Sequence, residues 1–193
     1  MTRVFCYLPL FILGVALAVF AKSPKVSPVM DQACNEQLQI MFNEDQASRR
    51  GEDVERTDEE RRKLVMAALA ANEVVTPRDK LHAGYVLQHT GLAFCNDEFV
   101  SLSVENYLLA HELFKQAFDA GLDGAGWLVA ASIDRYLSFT EGIQKYGTNR
   151  VVNQDTGDEE LIPIDRDVPD SERAKYGVPP LAELLAKYPE QKR

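Results

Sequence analysis

The sequence is poor in the residue types that most often carry chemistry. Its 193 residues include three cysteines, three histidines and one tryptophan. It also lacks the GxSxG nucleophile phrase, the P-loop, the Rossmann glycine phrase and the HExxH zinc phrase. These absences disfavour covalent catalysis, nucleotide binding and a dedicated zinc site. We therefore expect neither a metal nor a cofactor.

Basic residues are scarce relative to acidic ones. The chain has 21 lysines and arginines against 30 aspartates and glutamates, which gives a net charge of −9. Such a surface repels nucleic acid and anionic lipid. We therefore expect no nucleic-acid partner, and no membrane contact apart from an N-terminal leader.

One long apolar run, residues 4–20, stands at the N-terminus behind Arg3. Together with the small residue Ala21, it has the pattern of a secretory signal peptide over residues 1–21, followed by a flexible linker over residues 22–29. The pattern predicts a periplasmic or secreted protein. An uncleaved leader that anchors the chain in the membrane is the alternative.

Two cysteines, Cys34 and Cys95, remain beyond the leader. An even pair in an exported protein favours a disulfide. Closing a loop of that length contributes roughly 4 kcal/mol in the chain-entropy model. The alternative is a pair of free buried thiols.

Residues 30–193 are predicted to form a single all-α domain of about five helices. Apolar residues recur at helical spacing, and capping residues, prolines and glycines mark the ends. The predicted helices cover residues 30–49, 57–72, 76–92, 103–121 and 123–142, with Asp123 as the N-cap of the fifth. A C-terminal arm over residues 143–193 contains a hairpin or irregular segment at 151–164, one helical turn at 171–176 and a final short helix at 180–188.

The order of small and large apolar residues adds a detail about helix packing. The fourth and fifth helices resemble the second helix of one tetratricopeptide or Sel1-type hairpin and the first helix of the next. The residues that carry this pattern are Ala110, Phe114, Ala117, Trp127, Ala130 and Ala131. Stacked helical hairpins are therefore the predicted architecture, and a plain helix bundle is the alternative.

The fifth helix carries an adjacent acid and base. Asp134 follows Trp127 by two helical turns and shares its face, and Arg135 borders the same buried surface. Burying an unpaired charge costs several kcal/mol, so both groups need partners. They form either a structural ion-pair and capping network, or an anion or substrate subsite in which Arg135 acts with the hydroxyls of Tyr146 and Thr148.

The third helix carries a polar pair, Gln88-His89, within an otherwise core-facing pattern. A histidine beside a carboxylate such as Asp134 or Asp45 can act as a general acid or base. The alternative is a histidine that stabilises its helix end and bonds to a neighbouring carboxylate.

Six phrases occur in order along the chain: Asp45-Gln46-x-x-Arg49, Gln88-His89, Tyr107-Leu-Leu-Ala-His111, Trp127-Leu-x-Ala-Ala, Asp134-Arg135-Tyr136-Leu137 and Gln144-x-Tyr146-Gly147-Thr148. Together they resemble a bacterial family of uncharacterised helical proteins, a domain of unknown function. This chain has Asn149 where the family usually has glutamine. The resemblance implies one polar cluster drawn from separate helices: Asp45, Gln46, Arg49, Gln88, His89, Asp134, Arg135, Gln144, Tyr146 and Thr148.

Two functions follow from these patterns. The first is an exported helical-repeat binding or interaction protein of the periplasm or envelope, whose partner is a protein or a small anionic ligand. In this hypothesis the cluster chiefly locks the loop at residues 146–149. The second is a hydrolase in which His89 acts with Asp134 or Asp45 as acid and base, while Arg135 clamps an anion.

Overall fold

The structure, a computed structural model, describes residues 33–95, 98–153 and 155–191. The predicted leader and linker, residues 1–29, lie outside these ranges. None of the helices in the three ranges combines the length and apolar character needed to cross a bilayer.

The described residues form seven α-helices, five in the main body and two short ones in the C-terminal arm, and two small antiparallel hairpins. The helices are α1 (Glu36–Arg49), α2 (Asp58–Ala70), α3 (Pro77–His89), α4 (Glu105–Asp119), α5 (Ala125–Glu141), α6 (Asp170–Lys175) and α7 (Leu181–Lys187). The strands are β1 (Leu92–Cys95), β2 (Glu98–Ser101), β3 (Arg150–Val152) and β4 (Glu159–Leu161). The fold is therefore largely helical; the hairpin of β1 and β2 was not predicted, whereas that of β3 and β4 lies in the segment predicted to be a hairpin or irregular.

Side-chain caps fix the beginnings of the first three helices. Asn35 accepts hydrogen bonds from the second and third amides of α1, so this helix begins later than the predicted position 30. Thr57 opens α2 through a capping box, and Thr76 caps α3 with Pro77 at its first position, both as predicted. The fifth helix differs, because Gly124 and not Asp123 occupies its N-cap, with a φ of 81° and no side-chain cap.

The segment after α3 is a hairpin that the sequence analysis missed. Gly91, with a φ of 81°, ends the helical course, and Leu92 begins a strand instead of extending the helix. The register pairs Leu92 with Ser101 and Cys95 with Glu98. The second hairpin pairs β3 with β4 inside the predicted 151–164 segment, and α6 and α7 lie close to the two short helices predicted in the arm.

Hydrogen bonds at both ends of α1 and α3 show that these helices run in the same direction. The Asn35 amide donates to Asp79 in the first turn of α3, at 2.7 Å. At the other end, Asp45 lies 2.7 Å from His89. The chain then returns through the first hairpin into α4.

Helix α5 runs back along α4 and joins two hydrophobic clusters. Tyr107 in the first turn of α4 stacks on Phe139 near the end of α5, with ring centroids 5.7 Å apart. Val129 faces the cluster formed by α1 to α5, whereas Ala130 faces a second cluster formed with the C-terminal arm. One end of the molecule therefore collects the C-terminal ends of α1, α3 and α5 and the N-terminal end of α4.

Gly84 lets α3 and α4 approach closely. A Cβ at this position would lie 2.5 Å from Cε1 of Phe114. At an open helical site, glycine to alanine would stabilise the helix by about 1 kcal/mol. Here overpacking costs about 1–3 kcal/mol, so we expect Gly84→Ala to lower the free energy of unfolding in urea denaturation. The loss should shrink in a Phe114→Leu background, and a stabilised Gly84→Ala variant would contradict the close contact.

The predicted disulfide between Cys34 and Cys95 is not formed. Both cysteines are free and exposed. Cys34 precedes the Asn35 amide that bonds to the first turn of α3, whereas Cys95 lies beyond the far end of that helix, at the end of β1. Thirteen helical residues span about 20 Å, whereas bridged Cα atoms lie roughly 4–7 Å apart.

Candidate functional site

Asp134 anchors the loop that follows α5. Its side chain is 0% exposed. Oδ1 accepts hydrogen bonds from the amides of Lys145 and Tyr146, at 2.8 and 2.7 Å. Oδ2 accepts from the amides of Gly147 and Thr148, both at 2.9 Å, and from the Thr148 hydroxyl at 2.7 Å. A carboxylate has about four lone-pair positions, so these five donors leave none for a substrate.

The electrostatics of Asp134 also fit an anchor. Burial raises the pKa of its carboxyl, and the hydrogen bonds from Thr148, Tyr146 and Lys145 oppose that rise by favouring the ionised form. Its hydrogen-bond donors are four backbone amides and the Thr148 hydroxyl, and His89 is not among them. The predicted pairing of Asp134 with His89 is therefore not formed.

Arg173 completes the anchor, and the sequence analysis missed it. This side chain is 1% exposed. Its guanidinium donates to the backbone carbonyls of Lys145, Tyr146, Asp165 and Val168. Asp134 thus accepts hydrogen bonds from the backbone amides of the loop, whereas Arg173 donates to two of the loop carbonyls, those of Lys145 and Tyr146. Arg173 lies in the short polar helix α6, where the sequence pattern predicts an exposed side chain, so the sequence carried no signal of this role.

The other loop residues of the predicted cluster are also engaged within the protein. The side-chain NH₂ of Gln144 donates to the backbone carbonyls of Asn149 and Ile162, at 3.0 and 2.7 Å. Its side-chain oxygen accepts from the backbone amide of Asn149 at 2.8 Å. The Tyr146 hydroxyl donates to Glu172 at 2.8 Å. Burial and the Glu172 carboxylate raise the pKa of Tyr146, which keeps this hydroxyl protonated. The polar side-chain groups of Gln144 and Tyr146 are thus engaged within the protein and are not free to act with Arg135 on a ligand.

A second polar group lies at the shared end of α1, α3 and α5. We call it the Arg135 site, defined by Asp45, Arg49, Gln88, His89 and Arg135. Asp45 is 1% exposed, and its Oδ2 lies 2.7 Å from Nδ1 of His89. Because an ionised carboxylate only accepts, Nδ1 carries the hydrogen. Nε2 of His89 has no hydrogen-bond partner within the described part of the chain and is not buried.

Asp45 is held by two other side chains of α1. The side-chain NH₂ of Gln46 donates to Oδ2 of Asp45 at 2.9 Å. Arg49 lies 3.7 Å from Oδ1 and also pairs with Asp58 at the start of α2. The Asp45 carboxylate therefore orients His89 from a fixed position.

Arg135 is partly buried and has no acidic partner among the described residues. One of its N–H groups donates to the backbone carbonyl of Gln88 at 2.9 Å, and its guanidinium lies 6.0 Å from the centre of the Tyr107 ring. Across residues 33–95, 98–153 and 155–191, no carboxylate forms an ion pair with it. Burial lowers its pKa, the Tyr107 hydroxyl opposes this change, and the charge of Arg49 adds to it.

Two buried polar groups beside Arg135 lack hydrogen-bond partners among the described residues. The Gln88 side chain is 4% exposed and donates to the Ala131 carbonyl at 3.4 Å, but its Oε1 accepts nothing. The Tyr107 hydroxyl is buried without a well-formed hydrogen bond; burial raises its pKa, and the nearby Ser101 side chain opposes that rise. Unsatisfied groups of this kind are rare in native structures and concentrate where function or bound water accounts for them.

No known family, curated protein or solved structure matches the chain. The resemblance to a family of helical proteins therefore stays a prediction.

The ten residues expected in one cluster form two. Asp134, Gln144, Tyr146 and Thr148 hold the loop, and their polar groups are satisfied within the protein. Asp45, Gln46, Arg49, Gln88, His89 and Arg135 lie at the end of the helices, where donors and acceptors remain free. Of the two carboxylates proposed for His89, the structure places Asp45 against it. The Arg135 site thus offers a guanidinium with unused donors and an oriented imidazole, whereas no group of three or more His, Cys, Asp or Glu in the described ranges could hold a metal ion.

Proposed function

We propose that the chain is an exported helical-repeat binding module of the periplasm or envelope that holds a small anionic ligand at the Arg135 site. The observation that carries this proposal is the lack of an acidic partner for Arg135. Its Nε and Nη2 groups form no hydrogen bond within the described residues and are not buried. The export component rests on the leader pattern of residues 1–21.

The charge of Arg135 lacks compensation within the described residues. A partly buried guanidinium loses part of its solvation, and a counter-charge at its open N–H groups would compensate for that loss. The Gln88 carbonyl near the C-terminal end of α3 offers only about half a negative charge through the helix dipole. A carboxylate or phosphoryl group could instead receive two parallel hydrogen bonds from the planar fork.

The arrangement of the helices supports the repeat component of the proposal. The helices α1 and α3 run in the same direction, and α4 and α5 are antiparallel neighbours. In stacked helical hairpins, equivalent helices of successive repeats are parallel and consecutive helices are antiparallel. Such stacks commonly use one face or end for binding, which is where the Arg135 site lies.

A hydrolase is the second candidate, favoured by the 2.7 Å contact between His89 and Asp45. A histidine oriented by a carboxylate through Nδ1, with Nε2 free, has the geometry of a general base. Arg135 would then stabilise a developing oxyanion. The test is hydrolysis of 4-nitrophenyl acetate and 4-nitrophenyl phosphate by the wild type and two variants. Activity that is lost in His89→Gln and kept in His111→Gln would favour this function over simple binding.

Replacing Arg135 tests the binding function. We expect Arg135→Met to weaken binding of small anions at least about tenfold, because a charge-assisted pair of hydrogen bonds is lost. Isothermal titration calorimetry at low ionic strength with inorganic phosphate, sulfate, citrate and acetate measures the effect.

The matched control is Arg150→Met, which removes a partly exposed arginine that pairs with Glu159 at 3.3 Å. This variant should bind anions as the wild type does. The Arg135→Met protein should be as stable as the wild type or more so, because a buried charge is removed without orphaning an acid. Equal losses of binding in both variants, or no anion binding by the wild type, would refute the proposed site.

A further inference from the structure

His89 is positioned to add a second positive charge to the Arg135 site. Its ring is fixed through Nδ1 by Asp45, and it lies 6.1 Å from the Tyr85 ring one turn earlier on α3. Histidine is the side chain that ordinarily changes its charge between about pH 5 and pH 8. The free Nε2 is a hydrogen-bond acceptor when the ring is neutral and a charged donor when it is protonated.

The charged and titratable groups around His89 come from every neighbouring helix. Asp45 and Arg49 face it from α1, and Tyr85 lies beside it on α3. The α5 guanidinium of Arg135 binds the carbonyl of the preceding residue, and Tyr107 of α4 lies beneath that guanidinium. Among these groups Asp45 is the one acid that contacts the imidazole.

Counting the charges indicates which anion the site fits. Arg49 pairs with Asp45 and Asp58, and the buried Arg61 pairs with Asp58 as well, so these two acids and two bases offset one another. Arg135 is left with one positive charge. Protonation of His89 would bring the surplus to two, which complements a doubly charged anion.

We propose that the Arg135 site binds a dianionic tetrahedral oxyanion, of the kind found in a phosphate monoester, between Arg135 and His89, and that His89 takes up one proton with it. The inference rests on the proposed function of this site as an anion site. The Nε and Nη2 groups of Arg135 donate to two oxygens of the ligand. The protonated Nε2 of His89 donates to a third, while Nδ1 of His89 keeps its proton and donates to Asp45.

Sulfate is the probe that tests this inference, because it remains a dianion over the range in which histidine titrates. Calorimetry at about pH 5.5 and about pH 8 should show sulfate binding that weakens about tenfold or more at the higher pH. Titrations at intermediate pH in buffers of different ionisation enthalpy should show uptake of up to about one proton per sulfate bound. Acetate, a monoanion, should bind at least about tenfold more weakly than sulfate at the lower pH.

His89→Gln separates the charge of the ring from its hydrogen bonding. This variant should bind sulfate at both pH values about as weakly as the wild type does at the higher one. His111→Gln is the matched control, because the His111 ring bonds to the Val129 carbonyl at 2.9 Å on α5, and it should keep the wild-type pH dependence.

The outcomes distinguish this inference from the proposed function. Sulfate binding that needs Arg135 but does not vary with pH, or varies equally in His89→Gln, would overturn proton uptake by His89 and leave the anion site intact. Equal affinities for sulfate and acetate would overturn the dianion. No binding of any anion by the wild type would overturn both proposals.

Discussion

Asp134→Ala should lower the free energy of unfolding by about 4 kcal/mol or more, because five donors lose their acceptor at once. Each buried donor left without a partner costs about 1–3 kcal/mol, although some of the loop amides would regain water as the loop loosens. The effect should be centred on the arm, since the loop at residues 145–148 connects α5 to the second hydrophobic cluster. Urea unfolding followed by circular dichroism measures the loss.

Asp134→Asn gives a more selective version of this test. The amide keeps one oxygen as an acceptor, but its NH₂ group would face the donors from Gly147 and Thr148. We expect a loss of about 2–4 kcal/mol from this substitution. Hydrogen exchange at the amides of residues 145–148 should accelerate before exchange in α3 and α4 does.

The matched control for both variants is Asp123→Asn. Asp123 is exposed and forms no hydrogen bond or ion pair with any described residue, so its substitution should change stability by less than about 0.5 kcal/mol. An Asp134→Asn protein as stable as this control would show that the five donors do not depend on the carboxylate.

The helices were predictable because their signals are local. Apolar spacing within ten to twenty residues and caps such as Thr57 and Thr76 act on neighbouring backbone groups, and a sequence displays both directly. The first hairpin was not predictable in this way. Its strands have four residues each, too few to show a period, and Leu92 continued the apolar spacing of α3. Gly91 held the better signal, because its positive φ suits a turn out of the helix.

The division of the polar residues into two groups could not be read from the sequence. Asp134 and Arg135 are adjacent in the chain, but successive helical positions point about 100° apart, so they meet different neighbours. Asp134 meets the loop that follows its own helix, and Arg135 meets the end of α3. Which of these positions faces a satisfied network depends on distances between helices, which sequence spacing does not contain.

The state of hydrogen bonding assigns different roles to the two groups. Asp134 and Gln144 hold chain segments in place with all the polar atoms of their side chains engaged, as expected where polar residues specify a fold. In the described part of the chain, the Arg135 site retains a guanidinium without a counter-charge and a buried Gln88 oxygen without a donor. Departures from full satisfaction are expected where a protein trades stability for function. The proposed site is therefore inferred from the hydrogen-bond partners that its residues lack as well as from those that they have.

Arg173→Met should lower the free energy of unfolding by about 3 kcal/mol, because the carbonyls of Lys145, Tyr146, Asp165 and Val168 lose their shared donor inside the second hydrophobic cluster. The expected loss is smaller than for Asp134→Ala. A carbonyl has two lone pairs and tolerates a missing donor better than an amide tolerates a missing acceptor. Methionine fills much of the same volume, which limits the contribution of a cavity.

Arg166→Met is the control, since Arg166 lies in the same arm but forms an exposed pair with Glu190 and should change stability by less than about 1 kcal/mol. The double variant Asp134→Ala/Arg173→Met tests whether the two side chains act on one loop. If they do, either single substitution already frees the loop, so the second substitution adds little further loss. The loss of unfolding free energy in the double variant should then be smaller than the sum of the two single losses by about 1 kcal/mol or more. Strict additivity would mean that the two residues stabilise independent parts of the arm, and that the loop at residues 145–148 is not the element they share.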